Sequence, residues 1–198
     1  MARFDWGLIR SFMTEHPKVS IEMDLTERIV DLVGERYDLA LRTGKLPDSS
    51  LISRHLADSH FALFAHPEYL ERQGQLSTPD DLQEHECLIF GVSVRDGSWE
   101  LSSQRKRRQV AVAGRLATTS LETIFNACAD GFGIGQLPIT TCQALVDEGE
   151  LVRILPAWAG TVHDLFLIYP SRTQVSPSVR AFIDYLVKQV DDALIRVE

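Results

Sequence analysis

From Trp6 to Arg42 the apolar residues switch repeatedly between helical and strand spacing, and this alternation constrains the fold more than any other feature. Leu8, Ile9, Phe12 and Met13 recur at helical intervals between Trp6 and Thr14, and Pro17 closes that segment. Val19 to Leu25 then alternates apolar and polar residues, which is the signature of a half-buried strand. Thr26 follows as the cap of a second expected helix carrying Ile29, Val30, Leu32 and Val33, with Gly34 near its end. Tyr37 to Arg42 reads as the next strand, closed by Thr43-Gly44. Helix, strand, helix, strand in that order predicts a parallel sheet with helices packed on it.

The same grammar continues. Leu46 to Ser50 is an expected loop, and Ile52–Leu56 and Phe61–Ala65 are strand-like. Pro67 opens a short helix, and Thr78-Pro79-Asp80-Asp81-Leu82 combines a threonine cap, a first-position proline and acids at the positive helix end. Cys87–Gly91 reads as a buried strand. Trp99–Leu101 and Val110–Gly114 read as a hairpin around a basic tip. A helix from Leu121 to Ala129, a glycine-spaced strand Gly131–Pro138, a helix Ile139–Asp147 and a strand Leu151–Leu155 follow. A strand Leu165–Pro170 comes last, before a helix from Ser176-Pro177 with Val179, Phe182, Ile183, Leu186 and Val190 on one face. The expected division is residues 1–89 with 166–198 as lobe I and 90–165 as lobe II. The chain then crosses twice between lobes and leaves a cleft suited to a small ligand.

Charge and residue usage remove several function classes. The net charge of -8 repels nucleic-acid phosphates. The run Arg105-Lys106-Arg107-Arg108 reads as a solvated hairpin tip. Three cysteines, Cys87, Cys128 and Cys142, are too few and too widely spaced for a disulfide framework or a zinc site, and Cys87 and Cys128 read as core residues. The six histidines form no HxH or HxxxH pair, so no metal and no cofactor are expected. Gly131, Gly133 and Gly135 lack the Lys-Ser/Thr of a phosphate loop and read as tight strand-to-helix packing. Neither a GxSxG elbow nor a triad order is visible. With no apolar run long enough to span a bilayer and no secretory signal at Met1, the expected location is the cytoplasm, away from any membrane.

Several segments, in order along nearly the whole chain, carry a resemblance. They are Ile29–Val33, Tyr37–Gly44, Leu46–Leu51, His66–Leu70, Thr78–Leu82, Gly131–Gly135 with Leu137-Pro138, Ile168–Pro170 and Ser176–Phe182. Together they resemble the effector-binding domain of LysR-type transcriptional regulators. The resemblance implies an α/β, two-lobed periplasmic-binding-protein-like (type 2) domain with a two-strand hinge. It implies a regulator rather than an enzyme, a small-molecule effector of carboxylate or aromatic type, and a homodimer or higher oligomer. DNA would be reached only through a helix-turn-helix that this sequence does not include. Members also have a strand ahead of the first helix. Its absence here is expected to leave a gap in the first sheet with unpaired backbone donors. An enzyme on the same fold and a truncated partner subunit are the alternatives.

Five residues are the expected ligand contacts. Thr26 combines a hydroxyl with a helix N-terminus, and Thr118, Thr119 and Ser120 repeat that arrangement in the second lobe. Arg42, at a strand's carboxyl end, can pair a carboxylate or, alternatively, a structural acid such as Asp31 or Glu35. Plain helix capping is the alternative for the hydroxyls.

Overall fold

The computed structural model describes residues 6–26, 28–44, 51–95, 97–104, 106–170 and 175–195. The expected loop Leu46–Ser50, Arg105 of the basic tip and the side chain of Val190 lie outside them. The chain forms two compact units. One spans Ser59–Val162, and the other comprises the described residues of Phe4–Asp58 and His163–Glu198. The chain thus passes between units at 58/59 and 162/163, where the sequence pattern suggested 89/90 and 165/166. The first difference has a physical origin. The strand Cys87–Phe90 finds its ladder partners within Ser59–Val162 and is part of that core.

The unit Ser59–Val162 is a mixed sheet covered on both faces. Its strands are the latter part of β2 (Ile52–Ala65), then β3 (Cys87–Phe90), β6 (Ala117–Thr118), β7 (Ile134–Pro138) and β8 (Val152–Ile154). β3 lies parallel to both β6 and β7, while β2 lies antiparallel to β7 and β8. Phe61 to Ala65 are all buried, as a strand covered on both faces requires. Alternation splits them between two cores. Leu63, Ala65, Cys87 and Ile89 pack with Trp99, Leu101 and Val110 of the hairpin β4 (Ser98–Ser103) and β5 (Lys106–Ala111), and with Val112 just after it. Ala62, Phe64 and Leu88 pack instead with Ile124, Cys128 and Cys142 of α3 (Leu121–Ala129) and α4 (Ile139–Asp147). The remaining elements are α2 (Pro67–Gln73) and a short 3-10 helix, Pro79–Glu84. In the latter, Asp81 accepts the Ser77 and Thr78 backbone N–H groups at 2.7 and 2.9 Å.

The glycine-spaced segment packs as its composition suggested. A Cβ at Gly135 would meet Cys128 Cβ of α3 at 3.4 Å, and Gly131 ends α3 in the left-handed region at φ +71°. All three cysteines are buried, and burial pushes each thiol up to about 12. They are core residues with no thiolate to offer.

In the other unit, α1 (Trp6–Glu15) packs on α5 (Pro177–Ile195) through Phe12. This ring is fully buried, 4.8 Å from Phe182 and 5.3 Å from Tyr185. β1 (Ala40–Thr43) pairs with β9 (Val162–Tyr169) in the register Ala40 to Ile168 and Thr43 to Leu165. The pairing is antiparallel, not the parallel arrangement the alternation suggested. Leu167, Tyr169, Ile183 and Leu186 form the core.

The largest departure from expectation lies between Val19 and Arg36. Val19–Leu25 has no ladder partner, and the helix expected after Thr26 does not form. A strand exists only when a neighbour takes its backbone hydrogen bonds. The helix fails for two reasons. Of its apolar residues only Leu32 is buried, while Ile29 and Val33 are 82% and 63% exposed, so too little burial supports it. Asp31 also takes local donors: its Oδ1 accepts the Val33 and Gly34 N–H groups at 3.2 and 3.0 Å, competing with helical pairing. The outcome is a turn closed by Glu35 N–H to Asp31 O and Tyr37 N–H to Leu32 O, with Arg36 at φ +63°.

Candidate effector site

In the unit Ser59–Val162 the candidate residues form one short segment between strand and helix. Thr118 ends β6, alongside β3 at Phe90. Its Oγ1 accepts the Ser120 N–H at 3.1 Å. Ser120 is extended at φ -101°, ψ 114°, and its Oγ accepts the Thr123 N–H at 3.2 Å, capping α3 as the sequence indicated. Thr119 between them is exposed. Glu122 stands in the first turn, where the helix dipole favours negative charge. The Thr118 and Ser120 hydroxyl oxygens thus already accept backbone N–H groups, while Thr119 is exposed to solvent.

In the other unit the expected placement of Thr26 is corrected. It caps no helix, because none follows, and its Oγ1 accepts the Arg28 N–H at 3.4 Å in a local turn. Arg42, half-buried on β1, pairs with neither Asp31 nor Glu35; its Nη1 donates to the Arg28 carbonyl at 2.9 Å. Thr26 and Arg42 are therefore joined through the two ends of Arg28's own backbone. The Arg28 guanidinium meanwhile forms a two-pronged pair with Glu35, including Nη1 to Oε1 at 2.8 Å. That pair holds the Glu35 carboxyl down to about 2 and raises the Arg28 guanidinium further. Tyr37 donates to Asp24, and this bond raises the phenol. The sequence pattern singled out neither Arg28 nor Tyr37. Their partners lie seven and thirteen residues away, and a turn rather than a regular helix or strand brings them together.

Among the surface cavities of the described residues are one of about 360 Å³ by Val175, Pro177, Arg180, Ala181 and Asp184, and one of about 240 Å³ by Glu15–Val19. Neither is lined by any of the five candidates. What the described residues offer at those five positions is hydroxyls and a cation, the donor chemistry of anion binding.

The model of the LysR substrate binding domain matches residues 6–191. The chain belongs to that family. The LysR-type domain is 33% identical over 174 residues to an HTH-type transcriptional regulator of Haemophilus influenzae, covering 85% of this chain and 60% of that protein. It is 33% identical over 176 residues to the HTH-type transcriptional regulator PtxR of Pseudomonas aeruginosa, covering 89% and 56%. It therefore spans less than two thirds of the length of these relatives. Among solved structures, the regulatory domain of CrgA, a LysR-type transcriptional regulator from Neisseria meningitidis, is similar with a TM-score of 0.84 at 28% identity. That match covers 94% of this chain and 92% of the other. The domain is thus an effector-binding regulatory domain of the two-lobed, periplasmic-binding-protein-like α/β class.

Proposed function

We propose that the LysR-type domain senses a small carboxylate or aromatic metabolite in the cytoplasm and reports it, as part of a homodimer or higher oligomer, to DNA-binding segments of a longer regulator. The proposed contacts are Thr118, Thr119 and Ser120 in one unit and Thr26 and Arg42 in the other. The domain binds and releases its ligand unchanged; its relatives are named as transcriptional regulators, not as enzymes. Among the described residues no helix is long and apolar enough to cross a membrane. The observation that carries the site is the α3 start, where Thr119 stands exposed between two hydroxyls beside a helix N-terminus. Binding shifts a conformational equilibrium only by its differential affinity for the two states, so affinity and regulation are measured separately.

The test is a calorimetric screen of small carboxylates and aromatic acids, repeated on Thr26→Val with Thr119→Val. The expected result is saturable binding to one compound, weakened about tenfold or more by the double substitution, as loss of hydrogen bonds to a charged ligand would produce. Binding that the double variant leaves unchanged would refute the site. Light scattering on the same sample tests the oligomer, and a monomer at high concentration refutes that part.

A further inference from the structure

Away from these contacts, three ligand-type side chains meet on neighbouring strands of one unit. His55 and Asp58 stand on β2 and Asp164 on β9, and β2 and β9 are hydrogen-bonded neighbours. The His55 Nε2 lies 2.8 Å from Asp58 Oδ1 and 3.4 Å from Asp164 Oδ1. One nitrogen or oxygen atom from each lies within 4.8 Å of the others. The imidazole stands edge-on to the Phe166 ring at 5.6 Å, a contact that helps fix its plane.

Bond lengths of roughly 2.0–2.2 Å to a transition ion put adjacent ligand atoms about 3.0–3.4 Å apart. Both His55 distances fall close to that spacing, so little rearrangement is needed. The two carboxylates repel each other at this range. Among the described residues the imidazole is the only basic side chain recorded on either of them.

We propose that His55, Asp58 and Asp164 bind a divalent first-row transition ion, with water completing its shell. One imidazole nitrogen disfavours magnesium and calcium, and the absence of a thiolate from the set disfavours cuprous copper; zinc, cobalt, nickel and manganese fit. All three side chains are about half exposed, at 50%, 51% and 59%, which leaves room for the completing waters and keeps the affinity modest. The bound ion ties β2 to β9, the two strands within which the chain passes from one unit to the other.

The whole chain is titrated with zinc chloride by calorimetry and with cobalt chloride by visible absorption. The expected result is one ion per chain, a cobalt spectrum shifted from that of the hexaaqua ion, and a melting temperature raised by zinc. His55→Ala and Asp164→Asn each weaken binding about tenfold or more and abolish the zinc-dependent rise in melting temperature. His60→Ala, an exposed histidine elsewhere on β2, changes neither. Metal-free circular dichroism checks that each variant is folded, and Asp58→Asn serves where one of the others is not. Absence of saturable binding by both metals, or binding that His55→Ala and Asp164→Asn leave intact, overturns the proposal.

Discussion

Tyr69→Phe removes one oxygen atom and tests how much of the unit Ser59–Val162 depends on it. The Tyr69 hydroxyl accepts the Glu86 N–H at 2.9 Å and meets His85 Nδ1 at 3.1 Å. Tyr69 is 2% exposed and His85 9%, so water replaces neither bond readily. Burial holds His85 below its usual range, so the ring is neutral near pH 7 and its Nδ1 accepts the Tyr69 proton. Phenylalanine fills the same volume, creates no cavity and leaves two groups unpaired. Each orphan costs about 1–3 kcal/mol, and with partial overlap the sum is about 2–4 kcal/mol. For a unit of roughly a hundred residues that is a fall in melting temperature on the order of 10 °C or more. The pH dependence has a definite sign. His85 has a folded pKa below its unfolded value of about 6.5, so its contribution is complete above that pH and is lost as pH falls toward the folded value. His85→Asn places an amide oxygen near the Nδ1 position and removes this proton linkage. Urea melts of the wild type, Tyr69→Phe and His85→Asn at pH 7.5 and 5.5 measure both effects. A Tyr69→Phe stability within about 0.5 kcal/mol of the wild type refutes the orphaned-group reasoning. So does a wild-type pH dependence identical to that of His85→Asn.

Other expectations concern separate parts of the chain. Ser120→Ala removes the α3 cap and costs about 1 kcal/mol in a denaturant melt, while Thr119→Val leaves stability within about 0.5 kcal/mol. Phe12→Ala empties a fully buried aromatic site and costs about 3–5 kcal/mol, read as loosened α1–α5 packing by hydrogen exchange. Gly114→Ala places a Cβ 1.9 Å from the Cys87 carbonyl oxygen, so β3 must shift, at about 3 kcal/mol or more by chemical denaturation. Native protein treated with an aromatic disulfide reagent reacts at Cys87, Cys128 and Cys142 only as fast as the core opens, since burial keeps these thiols protonated.

Legibility from sequence followed the range of the interactions. α3 was readable because Ser120, Glu122 and the apolar positions Ile124 and Cys128 act within one helix. The strand through Phe61–Ala65 was readable because burial on both faces needs a continuous apolar run. Val19–Leu25 had the right alternation but no ladder, since pairing depends on two segments and one sequence pattern carries only half of it. Ser120 acts as the cap it resembled. Thr26 and Arg42 instead meet at the backbone of Arg28, which no side-chain pattern announces. Asp164 reaches His55 across more than a hundred residues of intervening chain, so the cluster exists only once β9 lies beside β2.

The interrupted unit, assembled from both sides of Ser59–Val162, has a consequence during translation. The intervening unit leaves the ribosome as one uninterrupted stretch, free to collapse on itself while the remainder is still being made. Phe12 has no such opportunity. Its aromatic partners on α5, Phe182 and Tyr185, are made only after the whole intervening unit, so the first helix stays without that shelter until they emerge. Chaperone demand on the nascent polypeptide should therefore concentrate on this early amphipathic segment rather than on the larger core that follows it.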